Sequence, residues 1–142
     1  MLFKGPFVII APMSEALDAL IEEISQRDNR YKEDAYTFVL EALSYTKKKF
    51  KRNRHVSGPE LLEGVKQLLM RKFGPMTLTV LDYWGIKETQ DIGNIVFNLI
   101  QEKVLSKTEE DDIAHFKDVY DFEEVFDRGY RKKLHKKVSR MR

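Results

Sequence analysis

The chain is predicted to be mainly helical, and three features of its sequence predict this. Apolar residues recur at steps of three and four through most of the chain, the spacing that lays one face of an α-helix on a core. Glycine-based stops at Gly74-Pro75 and Gly85 separate successive apolar runs by abrupt turns. Segments suited to strands are short and flank the turn-prone acidic run Glu109 to Asp112.

Ser14 is suited to cap a first helix with Met13, Leu17, Leu20, Ile21 and Ile24 on its apolar side. The polar stretch Gln26 to Arg30 ends it. A second helix is expected from about Glu33 to Phe50, with Ala35, Tyr36, Val39, Leu40, Ala42 and Leu43 inward. Ser57 and Glu60 have the spacing of a capping box, and Pro59 sits in the first turn, where a missing amide hydrogen costs nothing. The helix they open carries Leu61, Leu62, Val65, Leu68, Leu69 and Phe73 and stops at Gly74-Pro75.

Met76 to Trp84 reads as a short helix, closed by Gly85, where a positive φ is expected. Thr89 is the expected cap of the next helix. Its Ile92, Ile95, Val96, Leu99 and Ile100 point inward, and Gln90, Asp91, Asn94, Asn98 and Gln101 are expected to point outward. Gly93 weakens that helix by roughly 1 kcal/mol relative to alanine, which suits a site where a neighbouring helix approaches closely. Val104 to Thr108 and Ile113 to Phe116 are predicted to form a small β-hairpin. Asp121 and Glu124 suggest a cap for a final amphipathic segment carrying Phe122, Val125, Phe126, Tyr130, Leu134 and Met141, interrupted by Gly129.

Helix, tight turn, helix, glycine turn, helix and hairpin is the element order of a winged helix-turn-helix. The predicted organisation is one domain over 1–142. It comprises an N-terminal extension (1–12), two N-terminal helices (14–55), a winged-helix-like core (58–117) and a basic C-terminal helix or tail (121–142). A chain of 142 residues is long enough to bury roughly 70% of its extended surface in one core. There is no cysteine, which removes disulfides and thiolate metal sites and suits a reducing compartment. The apolar patch Phe7 to Ala11 is too short to span a bilayer and lacks the basic head of an export signal, so a cytoplasmic protein is expected.

The net charge of +2 hides a strong segregation. Residues 47–55 hold six Lys or Arg and residues 128–142 hold eight, without one Asp or Glu in either segment. With 14 of the 25 basic residues placed there, the rest of the chain has 11 against 23 acidic ones, a balance of −12. Patches of this kind concentrate the field that attracts phosphates or acidic protein surfaces. The simpler alternative is a solvated helix end that complements its own dipole, together with a solvated tail.

The strings YKEDAYTFVLEAL, RHVSGPELLEG, FGPM, VLDYWGI and DIGNIVFNLI together resemble a small bacterial family described as restricted to Verrucomicrobia and Planctomycetes. The likeness covers residues 30–127. That family has no assigned activity, cofactor or catalytic residue, so the resemblance implies no site.

Three function classes are weighed. For nucleic acid, Lys47, Lys48, Lys49, Lys51, Arg52 and Arg54, with Arg131, Lys132, Lys133, Lys136, Lys137 and Arg140, are the candidate phosphate contacts. Gln90, Asn94, Asn98 and Gln101 are candidate base readers on a recognition helix, since Asn and Gln pair bidentately with adenine. Glu88, Asp91 and Glu102 on that helix oppose a major-groove role. A ribonucleoprotein backbone belongs with nucleic acid, and the second class is docking to an acidic protein surface or a second copy of the chain. Contact of the tail with an anionic membrane ranks below both, because Phe122 to Tyr130 is expected to belong to the core.

Catalysis has the least support. His55, His115 and His135 stand apart, and His115 has metal-ligand spacing to Asp111 and Asp112 only in a helical segment. No glycine loop suits a phosphate, and Ser44, Ser57, Ser106 and Ser139 have no visible base. No enzyme activity, cofactor or metal is expected. Aromatic side chains such as Trp84, Tyr36 and Phe73 are read as core rather than as stacking platforms, and Tyr83, on the polar side of its short helix, is the candidate for exposure.

Overall fold

A computed structural model describes residues 8–9, 15–50, 56–106 and 113–141. Six α-helices account for most of them: α1 (Glu15–Arg27), α2 (Glu33–Lys49), α3 (Gly58–Phe73), α4 (Thr77–Trp84), α5 (Thr89–Gln101) and α6 (Gly129–Arg140). Two-residue strands β1 (Val8–Ile9) and β2 (Leu105–Ser106) pair antiparallel, with Val8 opposite Ser106 and Ile9 opposite Leu105. The segment read as an N-terminal extension thus supplies a strand to the fold.

α2 is the central helix, and α1, α3, α4 and α5 all pack on it. Its Ala35, Tyr36, Phe38, Val39, Leu40, Ala42, Leu43 and Thr46 are buried, far more of its circumference than one stripe. α2 and α3 pack most intimately. Their closest approach places Gly64 against the buried Thr46, whose hydroxyl donates to the Ala42 carbonyl at 2.6 Å instead of facing water. A Cβ on residue 64 would collide with Thr46 Oγ1, so the glycine sets the interhelical distance. At the other end of the pair Phe38, Phe73 and Trp84 form a cluster, with centroids 5.1 Å apart for Phe38 and Trp84 and 5.7 Å apart for Phe73 and Trp84.

The predicted stops and caps act as expected at several points. The Glu60 amide donates to Ser57 Oγ at 3.2 Å, and the Ser57 amide donates to Glu60 Oε1 at 3.1 Å, which completes the capping box. Gly85 has φ +88°, and a side chain there would strike the Arg30 carbonyl. Asp121 Oδ1 accepts the Glu124 amide at 2.9 Å and caps the last helical segment. That segment passes through a π turn (Glu124–Arg128) before α6. Ser14 lies outside the described residues.

Two expectations are corrected. Ile113 to Phe116 is a 3₁₀ turn and not the second strand of a hairpin, and β2 takes its partner from β1. Phe116 is the physical reason. The turn points its ring into the core against Gly58 and Gly93, where a Cβ on residue 93 would lie 2.8 Å from Phe116 Cβ. Gly93 therefore accommodates this side chain rather than another helix.

Thr89 is not the cap of α5 but its first residue. Its buried hydroxyl donates to the Phe116 carbonyl at 2.6 Å and accepts the Val119 amide at 3.1 Å, which fixes the turn. The helix entry is instead stabilised by Asp91 Oδ2, which accepts the amides of Lys87 and Glu88 at 2.8 and 3.1 Å.

Helix propensity alone favours alanine over glycine at position 64 by about 1 kcal/mol. The collision with Thr46 reverses the sign, so Gly64→Ala is expected to destabilise the fold by about 1–3 kcal/mol in urea denaturation. A stabilised variant would show that α2 and α3 do not approach this closely.

Candidate functional site

The first basic patch is the C-terminal turn of α2, where Lys47, Lys48 and Lys49 meet the negative end of the helix dipole. Lys48 and Lys49 are exposed and Lys47 is half-buried. Lys51, Arg52 and Arg54 lie outside the described residues. The second patch is α6, which packs chiefly on the π turn before it and presents Arg131, Lys132, Lys136, Lys137 and Arg140 to solvent. Nothing is described of the Lys133 side chain.

Most of these cations lack a carboxylate partner, as do Arg71, Lys103 and Lys117 among the described residues, and what sets them apart is that they are clustered. Elsewhere Arg27 pairs with Glu102, Arg30 with Asp28 at 2.8 Å, Lys72 with Glu41 at 2.8 Å and Lys87 with Asp82 at 2.5 Å. Among the described residues, Lys47, Lys48, Lys49, Lys132, Lys136, Lys137 and Arg140 form no ion pair, while Arg131 reaches Asp127 at 3.0 Å. The roots of the two patches both lie along α3. Thr46 meets Gly64, whereas the π turn that starts α6 packs on α4 and on the turn Gly74–Met76.

The polar row of α5 requires the main correction to the site. Asn94 and Asn98 do not face solvent as base readers would. The Asn94 amide donates to the Tyr31 hydroxyl at 3.0 Å, and Asn98 donates to Asp28 Oδ2 and to the Tyr36 hydroxyl, each at 2.9 Å. Tyr31 in turn donates to Asp91 Oδ1 at 2.5 Å. Gln90 is half-buried and Gln101 exposed. Sequence periodicity separates polar from apolar faces but does not tell a wet polar face from one that meets the α1–α2 junction. The available signal was the pair of tyrosines at 31 and 36, large part-apolar residues in an otherwise polar stretch that would have to be buried with their hydroxyls partnered.

This network shifts the titration of its members. Burial and the bond to Asp91 raise the Tyr31 hydroxyl well above the usual tyrosine range, and burial raises Tyr36. Two side-chain bonds from Arg30 hold the Asp28 carboxyl well below the usual carboxylate range; burial opposes this, and the Asn98 amide assists it.

No constellation with catalytic geometry stands beside these features among the described residues. A groove of about 380 Å³ is lined by Lys87, Glu88, Thr89, Asp118, Tyr120, Asp121 and Phe122. Its Thr89 hydroxyl and one Asp121 oxygen are committed to backbone groups, and the Tyr120 hydroxyl donates to the Leu62 carbonyl at 2.6 Å. His115 and His135 are exposed, and no group of three metal-ligating side chains occurs among the described residues. His55, Asp111 and Asp112 lie outside them. Trp84 is buried and Tyr83 is 66% exposed, both as read from the sequence.

In comparisons with known proteins, no family model, no curated protein sequence and no solved structure matches this chain. Among the described residues no helix is long and apolar enough to cross a membrane.

Two outcomes test the network. Asn98→Ala leaves Asp28 and the Tyr36 hydroxyl each short of a partner and is expected to cost about 1–3 kcal/mol in denaturation, against less than about 0.5 kcal/mol for Gln101→Ala. Because the Asp28 pKa is depressed in the folded state, its contribution is complete above the ordinary carboxylate value of about 4 and fades as pH falls below it. Asp28→Asn should therefore lower stability at neutral pH and flatten the fall in stability between roughly pH 4 and pH 2. An unchanged acid limb would contradict this.

Proposed function

We propose that the protein is a non-catalytic binding module that holds a nucleic acid, or the nucleic acid of a ribonucleoprotein, by its phosphate backbone. The observation that carries this reading is the set of seven cations at the end of α2 and along α6 without carboxylate partners among the described residues. Charges left unneutralised by their own molecule retain their full attraction for phosphates, and release of condensed counterions then drives binding. The inward commitment of Asn94 and Asn98 favours backbone contact over base reading.

In this reading α3, α4 and α5 form a helix-turn-helix-like scaffold used for docking, without a wing from Ile113–Phe116, and the protein works in the cytoplasm. Docking to an acidic protein surface is the alternative, favoured by the same unpaired cations. Kinship with the Verrucomicrobia and Planctomycetes family belongs to the same proposal and adds no site.

Replacing Lys47, Lys48, Lys49, Lys51, Arg52 and Arg54 with serine tests the reading. The variant should keep its helical circular dichroism and bind a short RNA duplex more weakly. Its log-affinity against log-salt slope should be shallower by about 1 for each phosphate that the variant no longer neutralises. Unchanged affinity and slope would overturn the proposal and favour a protein partner.

A further inference from the structure

The last helix carries an apolar stripe that nothing in the described fold covers. Leu134 and Val138 are 47% and 48% exposed, and Met141, just beyond α6, is 77% exposed. At about 100° per residue these three fall within an arc of roughly 60°. Arg131 borders that arc on one side and Lys137 on the other, and Lys132, Lys136 and Arg140 share the rest of the circumference with His135 and Ser139. No Asp or Glu occurs from 128 to 142.

The helix is thus cationic on most of its surface and apolar on a narrow remainder, and its occupant has to satisfy both. A second α6 would bury the stripe but would set eight cations of one tail against eight of the other. A nucleic acid backbone would neutralise the cations and leave Leu134, Val138 and Met141 in water.

We propose that α6 is an interfacial helix that lays the protein on an anionic phospholipid bilayer. Its apolar stripe enters the boundary between headgroups and acyl chains, and its cations meet lipid phosphates. Low overall hydrophobicity, a basic polar face and a separate apolar face are the properties of helices that lie in this plane. Charge complementarity selects the partner, since clusters of Lys and Arg on an amphipathic helix bind anionic headgroups. Arg131 and Lys137 stand where long aliphatic stems can follow the stripe inward while their charged ends stay at the headgroups. The α6 cations serve both readings, but this inference is carried by the stripe, which the nucleic-acid reading does not use, so the two are tested separately.

Flotation of the full chain with vesicles provides the test, using phosphatidylcholine alone and an equal mixture of phosphatidylcholine and phosphatidylglycerol. The expected result is binding to the mixed vesicles only. Leu134→Ser combined with Val138→Ser should reduce that binding roughly tenfold or more, because two apolar side chains no longer gain from burial. Both residues are half-exposed, so the fold should persist, and affinity for an RNA duplex should be unchanged. Leu134→Trp should retain vesicle binding and shift its emission to shorter wavelength on the mixed vesicles. The proposal is overturned if neither vesicle binds, as for a helix that seats in an acidic protein groove, or if the double serine variant binds the mixed vesicles like the wild type. A parallel drop in RNA affinity in that variant would also overturn it.

Discussion

The fold depends on how the α1–α2 junction is held. Residues 28–32 carry no apolar run that would fix them, yet Tyr31 is buried and the chain reverses there between two helices. α5 supplies the missing restraint through Asn94, Asn98 and Asp91, and α4 supplies the rest: Gly85 lets its end approach the Arg30 carbonyl, and the Trp84 carbonyl accepts the Lys32 amide at 3.2 Å. Buried amides and hydroxyls are costly without partners, and here each finds one, so α5 has a single rotation that satisfies both its apolar and its polar residues. That rotation turns Ile92, Ile95, Val96 and Leu99 into the core and occupies the amides that would otherwise be free for recognition.

This constraint shapes what the molecule can offer a ligand. A helix whose polar row is an internal fastener has little left for one, and the clusters of cations without carboxylate partners lie elsewhere, at the end of α2 and along α6. The two differ in character. Lys47 to Lys49 sit on the most deeply packed helix, where the close α2–α3 crossing holds them in place. α6 extends from a π turn and has few neighbours, so its cations and its apolar stripe gain little from the core. Local stability is expected to fall from the first to the second, and segments that order on a partner are drawn from the less stable end.

Much of this architecture was legible in the sequence because local chemistry specifies it. Ser57 with Glu60, Gly85, Gly74-Pro75 and Asp121 each mark a helix boundary through backbone requirements that only a few residue types meet. The inward sides of α2, α3 and α5 followed from spacing. What stayed hidden depends on distant partners. β2 is completed by Val8–Ile9, almost one hundred residues away, and nothing near Leu105 indicates this. Ile113 to Phe116 has strand-like composition, but burial of Phe116 against Gly58 and Gly93 imposes a tight turn. Thr89 was legible as a special residue but not as the clamp on that turn. For the site, the positions of the cations were readable, whereas their lack of carboxylate partners and the inward direction of Asn94 and Asn98 required the packed structure.

The most direct measurement is a nitrogen–proton correlation spectrum of the full chain, recorded while a short heparin oligosaccharide is added. The account predicts protected side-chain amide signals for Asn94 and Asn98 that stay in place, with shifts concentrated at Lys47 to Lys49 and along α6. Exposed, rapidly exchanging Asn94 and Asn98 amides that move on addition, with the two basic segments unmoved, would contradict it.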